Sequence, residues 1–198
     1  MPNIYPFLAY VLVTTFTPGP NNILAMSNSL RYGYRRTLSF LLGITAGFLI
    51  MMLISGLLNV ILVRLVPQIR FWLNILGAGY MLYLAAHIVF SKPSSDDPGQ
   101  NHLNTFGAGF ALQFINLKVI LYGVTVFALF ITPYYQNLII VSLFAPLLAG
   151  IGFVSVSSWA LGGNLFRRFL LKYERWFNLA MGVLLVYTAI ASLLGSHV

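Results

Sequence analysis

The segment Phe16-Thr17-Pro18-Gly19-Pro20-Asn21-Asn22 interrupts the first long apolar run of the chain near its middle. Its two prolines remove backbone donors and clash with preceding carbonyls, and its glycine weakens a helix further, so we expect the helix to break here. Thr17 before Pro18 suits an N-cap with proline at the first helical position, which would start a second half-helix inside the run. The free N–H groups and the positive dipole end of that half-helix would then face the middle of the run. A simple packing kink is the alternative, but a kink does not require the polar side chains of Asn21 and Asn22.

The composition indicates that a lipid bilayer surrounds this chain. Of the 198 residues, 59% are apolar and only 7% are charged, and the mean hydropathy is +0.87. Soluble domains, in contrast, carry about 25% charged residues. Apolar runs of about 20 residues, enough to cross about 30 Å of hydrocarbon, recur along the whole length. The sequence therefore predicts a chain that spans the membrane several times.

Charge and cysteine content exclude several other kinds of site. The formal net charge is +8, but the eleven Lys and Arg residues are scattered in short connections and form no long basic face. Nucleic acid is therefore not an expected partner. The chain has no cysteine, which excludes disulfides, thiolate nucleophiles and Cys-ligated metals. The spacing of the three histidines suggests no metal site, so we expect neither a metal nor a cofactor.

The apolar runs predict an all-α polytopic membrane protein of six transmembrane helices, in one transporter domain that covers residues 1–198. The first run lacks the positive flank and the small-residue cleavage site of a signal peptide, so we expect it to remain as the first helix. A polar loop at 91–105 divides the chain into a first half at about 1–90 and a second half at about 106–198. The six helices are predicted near 4–29, 38–63, 71–90, 106–131, 138–161 and 176–195.

The distribution of basic residues predicts the orientation of these helices. The first, third and fifth connections hold eight Lys and Arg residues, whereas the other side holds only Arg64 and Arg70. Because Lys and Arg accumulate in cytoplasmic loops, the odd connections are predicted to be cytoplasmic and both termini to lie outside. If one span is only re-entrant, the termini would instead lie on opposite sides. The eight residues are Arg31, Arg35, Arg36, Lys92, Arg167, Arg168, Lys172 and Arg175.

The two halves of the chain also resemble each other. Arg70-Phe71-Trp72-Leu73-Asn74 opens the third predicted helix, and Glu174-Arg175-Trp176-Phe177-Asn178 opens the sixth. Gly47-Phe48 in the second helix likewise matches Gly152-Phe153 in the fifth. Three helices per half is an odd number, so such a repeat must be inverted, as in many secondary transporters. Chance similarity between apolar helices is the alternative.

The fourth predicted helix carries Gln113, Asn116 and Lys118. A helix that began after the lysine would offer only about 13 apolar residues, short of the roughly 20 that a span needs. Lys118 is therefore expected at membrane depth, unless its side chain reaches toward an interface. The three acidic residues of the chain all lie in predicted loops. The partner of Lys118 would then be a carbonyl, a water-filled cavity or the substrate, if the amine is charged at all.

The two polar segments fall at equivalent places in the predicted repeat, because Phe16 aligns with Phe114 and Pro20 with Lys118. We therefore expect them to face each other, one offering helix-end donors and the other an ammonium and two amides. Such a constellation suits a carboxylate, and amide carbonyls suit an ammonium. The sequence thus favours a carrier of a small zwitterionic amino acid.

Thr17-Pro18-Gly19-Pro20-Asn21-Asn22 and Gln113-Phe114-Ile115-Asn116-Leu117-Lys118 resemble the two signature regions of the LysE/RhtB family of amino-acid exporters. The resemblance extends over the whole chain in length and helix order. The stretch from Ala111 to Thr125, which contains Tyr122, is most similar to the branch that exports cysteine and O-acetylserine. This resemblance implies a bacterial inner-membrane protein that exports amino acids from the cytoplasm, coupled to the proton gradient. Together with the distribution of Lys and Arg, it places both predicted termini in the periplasm.

Two departures from the wider family bear on the substrate. Many members have Asn-Pro-Lys where this chain has Asn116-Leu117-Lys118, which weakens the case for a proline-induced break in the fourth helix. Many also have an acidic residue where this chain has Phe48, which removes the obvious carboxylate for a cationic amino acid or a proton. The resemblance therefore implies a neutral substrate, with homoserine, threonine or leucine as alternatives to cysteine and O-acetylserine.

Two other interpretations of the small and polar residues stay open. Ser155, Ser157 or Ser158 would be the nucleophile of an intramembrane hydrolase, but no Gly-x-Ser-x-Gly turn or in-membrane acid supports one. We therefore predict a transporter and not an enzyme or a membrane scaffold. Gly43 and Gly47 permit close helix approach, either within one chain or across a homodimer. The candidate substrate path comprises Thr17, Pro18, Gly19, Pro20, Asn21, Asn22, Gln113, Asn116, Lys118 and Tyr122.

Overall fold

A computed structural model describes residues 4–17, 19–65 and 104–195, with isolated positions between 75 and 86. Every regular element in these ranges is a helix, as the apolar runs predict. The predicted helix at 71–90 and the loop at 91–105 lie largely outside the described residues. The helices are α1 (Ile4–Phe16), α2 (Pro20–Tyr32), α3 (Tyr34–Leu65), α4 (Phe106–Ile115), α5 (Leu117–Val126), a π-helical turn (Phe127–Ile131) and α6 (Leu138–Gly195).

Two of these helices contain segments long and apolar enough to cross a membrane, at Tyr34–Ile61 and Leu138–Gly162. A third span exists if Phe106–Ile115 and Lys118–Ile131, which are bent by 65° relative to each other, form one broken span. In α3 and α6 the large apolar side chains on one face are exposed, as expected of helices that face lipid. The described residues thus form a helical membrane protein, while the count of six spans stays a prediction.

The predicted fifth and sixth helices are continuous in the structure. α6 runs from Leu138 to Gly195, so the segment 162–175, predicted to be a connection, is helical. The segment contains no proline, and after Gly162, Gly163 and Asn164 it consists mainly of Leu, Phe, Arg and Lys, which a helix tolerates well. The prediction of a break here was wrong because charged residues indicate contact with water but do not end a helix.

Helices α3 and α4 approach each other closely through glycines. A Cβ atom on Gly43 would collide with the carbonyl oxygen of Phe106, and one on Gly109 would collide with that of Phe40. A Cβ on Gly47 would lie 2.7 Å from the carbonyl oxygen of a residue of α4. The paired glycines of α3 therefore serve packing within one chain, which is the first of the two uses predicted for them. A homodimer stays a prediction that this motif no longer supports.

Two hydrophobic clusters lie on either side of the break between α1 and α2. The α1 cluster joins α1 to α3, α5 and α6, and the α2 cluster joins α2 to α3 and α6. The break itself lies between them, where polar side chains gather. The α1 cluster includes Phe7, Tyr10, Phe48, Met52, Tyr122, Phe130 and Leu148, and the α2 cluster includes Ala25, Phe40, Leu41, Ile44, Val156 and Ala160.

Candidate substrate site

The first break separates α1 from α2 as predicted, but its capping differs from the prediction. The N–H of Thr17 donates to the carbonyl of Val13 at 2.9 Å, so Thr17 closes the last turn of α1. The N-cap of α2 is Gly19, in an extended conformation, and Pro20 takes the first helical position. The prediction of Thr17 as N-cap was wrong because its backbone still belongs to the preceding helix. Pro18 lies outside the described residues.

Side chains from two other helices satisfy the carbonyls at the end of α1. The Thr15 carbonyl accepts from Asn22 Nδ2 and from Ser155 Oγ, both at 2.9 Å. The Phe16 carbonyl accepts from the indole N–H of Trp159 at 3.1 Å. The last carbonyls of a helix have no partner within the helix, and burial without one is costly. Asn22, Ser155 and Trp159 therefore make a helix end in the interior of the protein stable.

Lys118, on α5, is a further donor to the end of α1. Its Nζ donates to the Thr17 carbonyl at 3.1 Å and to Thr17 Oγ1 at 3.0 Å. The hydroxyl of Thr17 in turn donates to the Thr14 carbonyl at 3.0 Å. The C-terminal end of a helix carries a partial negative charge, so a cation is favoured here. Of the partners that the sequence left open for Lys118, the structure provides a carbonyl.

The second break, between α4 and α5, forms without proline. Asn116 separates the two helices and is the N-cap of α5, its side-chain oxygen accepting from the Lys118 N–H at 3.1 Å. An asparagine cap satisfies a free N–H group at a helix start, so it can stabilise a break that no proline imposes. This explains why Leu117, in place of the family's proline, is compatible with a bend of 65° between α4 and α5.

Three amides connect the two breaks directly. Asn21 Nδ2 donates to Gln113 Oε1 at 2.8 Å, and Gln113 Nε2 donates back to Asn21 Oδ1 at 3.1 Å. Asn116 Nδ2 donates to the same oxygen of Asn21 at 3.1 Å. The two polar segments therefore face each other, as their equivalent positions in the repeat predict. Each amide is held by a partner on another helix, and Gln113 Nε2 also donates to the Gly109 carbonyl of its own helix at 3.0 Å.

A cavity of about 520 Å³, including its open mouth, lies between the two breaks. Its described walls contain no Asp or Glu, and Lys118 is the charged side chain among them. The N-terminal ends of α2 and α5 both border it, so their free N–H groups and positive dipole ends act on its contents. Of the predicted path residues, those that line it are Gly19, Pro20, Asn21, Asn22, Asn116, Lys118 and Tyr122.

Two further predicted residues, Thr17 and Gln113, support the cavity from outside its walls. Thr17 holds the ammonium of Lys118, and Gln113 is fully buried and holds Asn21. Sequence reasoning missed the threonines of the wall, Thr14 and Thr15 of α1 among them. A threonine in an apolar helix carries no sequence signal of its own, because it packs in helices with or without a functional role.

Two rings of an aromatic stack, those of Tyr122 and Phe48, form part of the apolar wall. The rings of Tyr122 and Tyr10 are stacked, with centroids 5.6 Å apart and an angle of 9° between their planes. The ring of Phe48 is tilted against Tyr122 at the same centroid distance of 5.6 Å. Phe48 itself lines the cavity, so an apolar ring occupies the position where many family members carry an acid.

Gly19 offers a test of the contact between the break and Lys118. A Cβ at this position would lie 3.0 Å from Lys118 Nζ and 3.1 Å from its Cδ. We expect Gly19→Ala to push the Lys118 ammonium out of its position in the cavity wall and to raise the half-saturating substrate concentration several-fold, less than the loss of a whole charged hydrogen bond would cause. Membrane insertion and protein yield should not change, because the atom displaced is the end of a flexible side chain.

Substrate titration of transport checks this expectation, with Gly150→Ala as the matched control. A Cβ at Gly150 would meet nothing within 4 Å. Equal half-saturating concentrations for the two variants would contradict the proposed importance of the contact.

Two of the three candidate serines of α6, Ser155 and Ser158, bond to backbone carbonyls, whereas the Ser157 hydroxyl is buried without a partner among the described residues. Ser155 Oγ donates to the Thr15 carbonyl, and Ser158 Oγ donates to the Val154 carbonyl at 2.7 Å. Both hydroxyls are therefore engaged with backbone oxygens and have no base beside them in these contacts. Within the described ranges no group of His, Cys, Asp and Glu side chains is placed to hold a metal ion.

Comparison with known proteins relates this arrangement to a family. The pattern of the family described as LysE type translocator matches residues 12–196. A cysteine/O-acetylserine efflux protein of Klebsiella pneumoniae is 42% identical over 187 residues, which covers 94% of this chain and 95% of the relative. Proteins of the same name from Escherichia coli K12 and Shigella flexneri are 42% identical over 184 residues, covering 93% of this chain and 94% of each relative. No solved structure shows significant similarity. Because the family pattern and these relatives extend over nearly the whole chain, this protein belongs to the LysE family of translocators.

Proposed function

We propose that this protein exports small neutral amino acids or their derivatives, of the cysteine and O-acetylserine type, from the cytoplasm. The observation that carries the proposal is the cavity between two helix breaks, with Lys118 in its wall and no described acid beside it. The names of the relatives, which are 42% identical, support the same class of substrate. Homoserine, threonine and leucine are the alternative substrates of the same class.

The polar end of the cavity suits the two charges of a free amino acid. The ammonium of Lys118 and the N-terminal ends of α2 and α5 favour the α-carboxylate. The side-chain oxygens of Asn21 and Asn22 can accept from the α-ammonium group. A cationic side chain would find no described acid in the wall, and Phe48 would exclude its charge. The site therefore favours a substrate whose net charge is zero.

The contact of Lys118 with Thr17 suggests how binding could drive a conformational change. A substrate carboxylate would compete with the Thr17 carbonyl and hydroxyl for the same ammonium. Release of Thr17 would loosen the link between α1 and α5, and either the α1 cluster or the α2 cluster could then separate. We propose that these two clusters close the cavity toward opposite sides of the membrane and that transport is coupled to proton antiport.

The wider arrangement is proposed as the sequence predicts it. The chain would cross the bacterial inner membrane six times as two inverted repeats, with both termini in the periplasm. This arrangement requires helix α6 to turn back at the basic segment 162–175 when the protein lies in the membrane. The direct amide contacts between equivalent segments support the repeat. The excess of Lys and Arg in the odd connections supports the orientation.

Transport by inside-out membrane vesicles tests the function. Vesicles that contain the protein should accumulate labelled O-acetylserine when their interior is more acidic than the medium. Vesicles without the protein are the control, and unlabelled cysteine, homoserine, threonine and leucine compete in turn to rank the substrates. Absence of uptake for every small neutral amino acid would overturn the proposed function. Uptake that persists after an ionophore collapses the proton gradient would overturn only the proton coupling.

A further inference from the structure

Two hydroxyl groups in the wall of the cavity lack hydrogen-bond partners. Thr14 is 1% exposed and Tyr122 is 3% exposed, and both side chains line the cavity. Neither Thr14 Oγ1 nor the Tyr122 hydroxyl has a partner among the residues that the structure describes. Buried side-chain polar atoms in proteins are hydrogen-bonded in the large majority of cases. Two unsatisfied hydroxyls in one cavity therefore point to a ligand that completes them.

The two hydroxyls come from opposite halves of the chain. Thr14 lies in the last turn of α1, directly before the break. Tyr122 lies on α5, and stacking against Tyr10 and Phe48 fixes the plane of its ring. Its hydroxyl lies near the side chain of Thr15, but no hydrogen bond of ordinary geometry joins the two groups. The Tyr122 hydroxyl therefore lies beside the same last turn of α1 that carries Thr14.

Both hydroxyls and Lys118 belong to the wall of the same cavity. Tyr122 follows Lys118 by four residues on α5, which places the two side chains on one face of the helix, with about 5–6 Å between their Cβ atoms. The Thr14 carbonyl accepts from Thr17, whose hydroxyl holds the Lys118 ammonium. A substrate with its carboxylate at Lys118 would thus extend its side chain toward these hydroxyls.

We propose that Thr14 and Tyr122 form a subsite for the polar group on the side chain of the substrate, a proposal that rests on the proposed function. A hydroxyl both donates and accepts, so the pair can bind the carbonyl of an O-acetyl ester or the thiol of cysteine. The neighbouring wall of Phe48, Ala149 and Gly152 is apolar and suits the methyl or methylene groups of the same side chain. The subsite therefore selects neutral amino acids that carry a polar atom over those with alkyl side chains.

The selectivity of transport separates this role from a structural one. We expect O-acetylserine and serine to inhibit uptake by the wild-type protein at lower concentrations than 2-aminobutyrate, which has a similar shape without a polar atom. In Tyr122→Phe and Thr14→Val the inhibitory concentration of O-acetylserine should rise about tenfold, as for one lost hydrogen bond. The inhibitory concentration of 2-aminobutyrate should stay unchanged or fall in the same variants.

Two control variants test whether the hydroxyls themselves are responsible. Tyr10→Phe removes a hydroxyl from the same aromatic stack but not from the wall of the cavity, and it should keep the wild-type preference. Thr14→Ser, unlike Thr14→Val, keeps a hydroxyl at residue 14 and should retain most of the preference for O-acetylserine over 2-aminobutyrate. A purely structural effect would instead reduce the transport of both kinds of amino acid to the same extent.

Thermal stability in detergent gives a second measurement, independent of transport. Removing an unsatisfied buried hydroxyl without leaving a partner exposed costs little, so Tyr122→Phe and Thr14→Val should unfold at the wild-type temperature or above. O-acetylserine should raise the unfolding temperature of the wild-type protein more than that of either variant. The proposed subsite would be overturned if Tyr122→Phe and Thr14→Val both kept the preference for O-acetylserine. It would also be overturned if both variants were less stable and lost transport of all amino acids equally. If the wild-type protein transports no amino acid, the proposed function fails as well, which distinguishes the two outcomes.

Discussion

Replacing Lys118 with alanine is expected to reduce the apparent affinity for every transported amino acid by about 10- to 100-fold. A charge-assisted hydrogen bond contributes about 1.5–3 kcal/mol, and each 1.4 kcal/mol corresponds to about tenfold in affinity. Lys118 is the charged side chain in the described wall of the cavity, so the variant loses the proposed partner of the α-carboxylate. Insertion into the membrane should not suffer, because the substitution removes a cation from the depth of the bilayer.

Losing the Lys118 side chain should weaken the capping of α1 less than it weakens substrate binding. The Thr17 carbonyl keeps a donor in Asn22 Nδ2 at 3.0 Å when Lys118 is absent, so the end of α1 stays partly capped. The thermal stability of Lys118→Ala should therefore stay close to that of the wild-type protein. A Lys118 variant that transports normally would refute the assignment of the cavity as the substrate site.

The matched control is Lys92→Ala, which removes the same charge from the predicted loop between the halves. It should transport like the wild-type protein, apart from an effect on orientation that labelling of the termini would detect. The measurement is uptake by inside-out vesicles as a function of substrate concentration, normalised to the amount of inserted protein. Equal losses in the two variants would indicate a general effect of net charge instead of a contact at the cavity.

The sequence predicted those parts of the site that depend on the chemistry of neighbouring residues in the chain. Pro18, Gly19 and Pro20 interrupt a helix through their own covalent structure, so the first break was predictable without any knowledge of neighbours. Lys118 was predicted at membrane depth because the apolar run after it is too short to span a membrane, and this depth stays a prediction. Its contact with Thr17 was not predictable, since the partner lies 101 residues away and its carbonyl is a backbone group that every residue has.

The incorrect predictions have the same origin. Threonine is a common N-cap residue, but the N–H of Thr17 still donates to the carbonyl of Val13, so the preceding helix determines its conformation. The basic segment at 162–175 has the composition of a connection, yet its residues can propagate a helix. Thr14 and Thr15 carried no signal because their importance depends on which helices meet at the end of α1. Sequence patterns thus indicated where polar groups occur, while packing decided which of them meet.

Substituting Gly43 with alanine is expected to destabilise the protein more than any substitution in the cavity. The new Cβ would collide with the carbonyl oxygen of Phe106, a backbone atom that moves only if the whole of α4 moves. Overpacking of this kind costs about 1–3 kcal/mol or more, whereas the gain in helix propensity from Gly to Ala is only about 1 kcal/mol. Since α4 carries Gln113, a displaced α4 should also disrupt the amide contacts with Asn21 and reduce transport.

Gly107→Ala on α4 is the matched control, because a Cβ there would meet nothing within 4 Å. The control gains the same helix propensity without the collision, so it should unfold at the wild-type temperature or slightly above it. Gly109→Ala should behave like Gly43→Ala, since its Cβ would collide with the carbonyl oxygen of Phe40 on α3. Thermal unfolding followed by size-exclusion chromatography in detergent separates the three variants. Equal stability of Gly43→Ala and Gly107→Ala would show that α3 and α4 do not pack through Gly43 and Gly109. This packing could then not be what positions Gln113 against the first break.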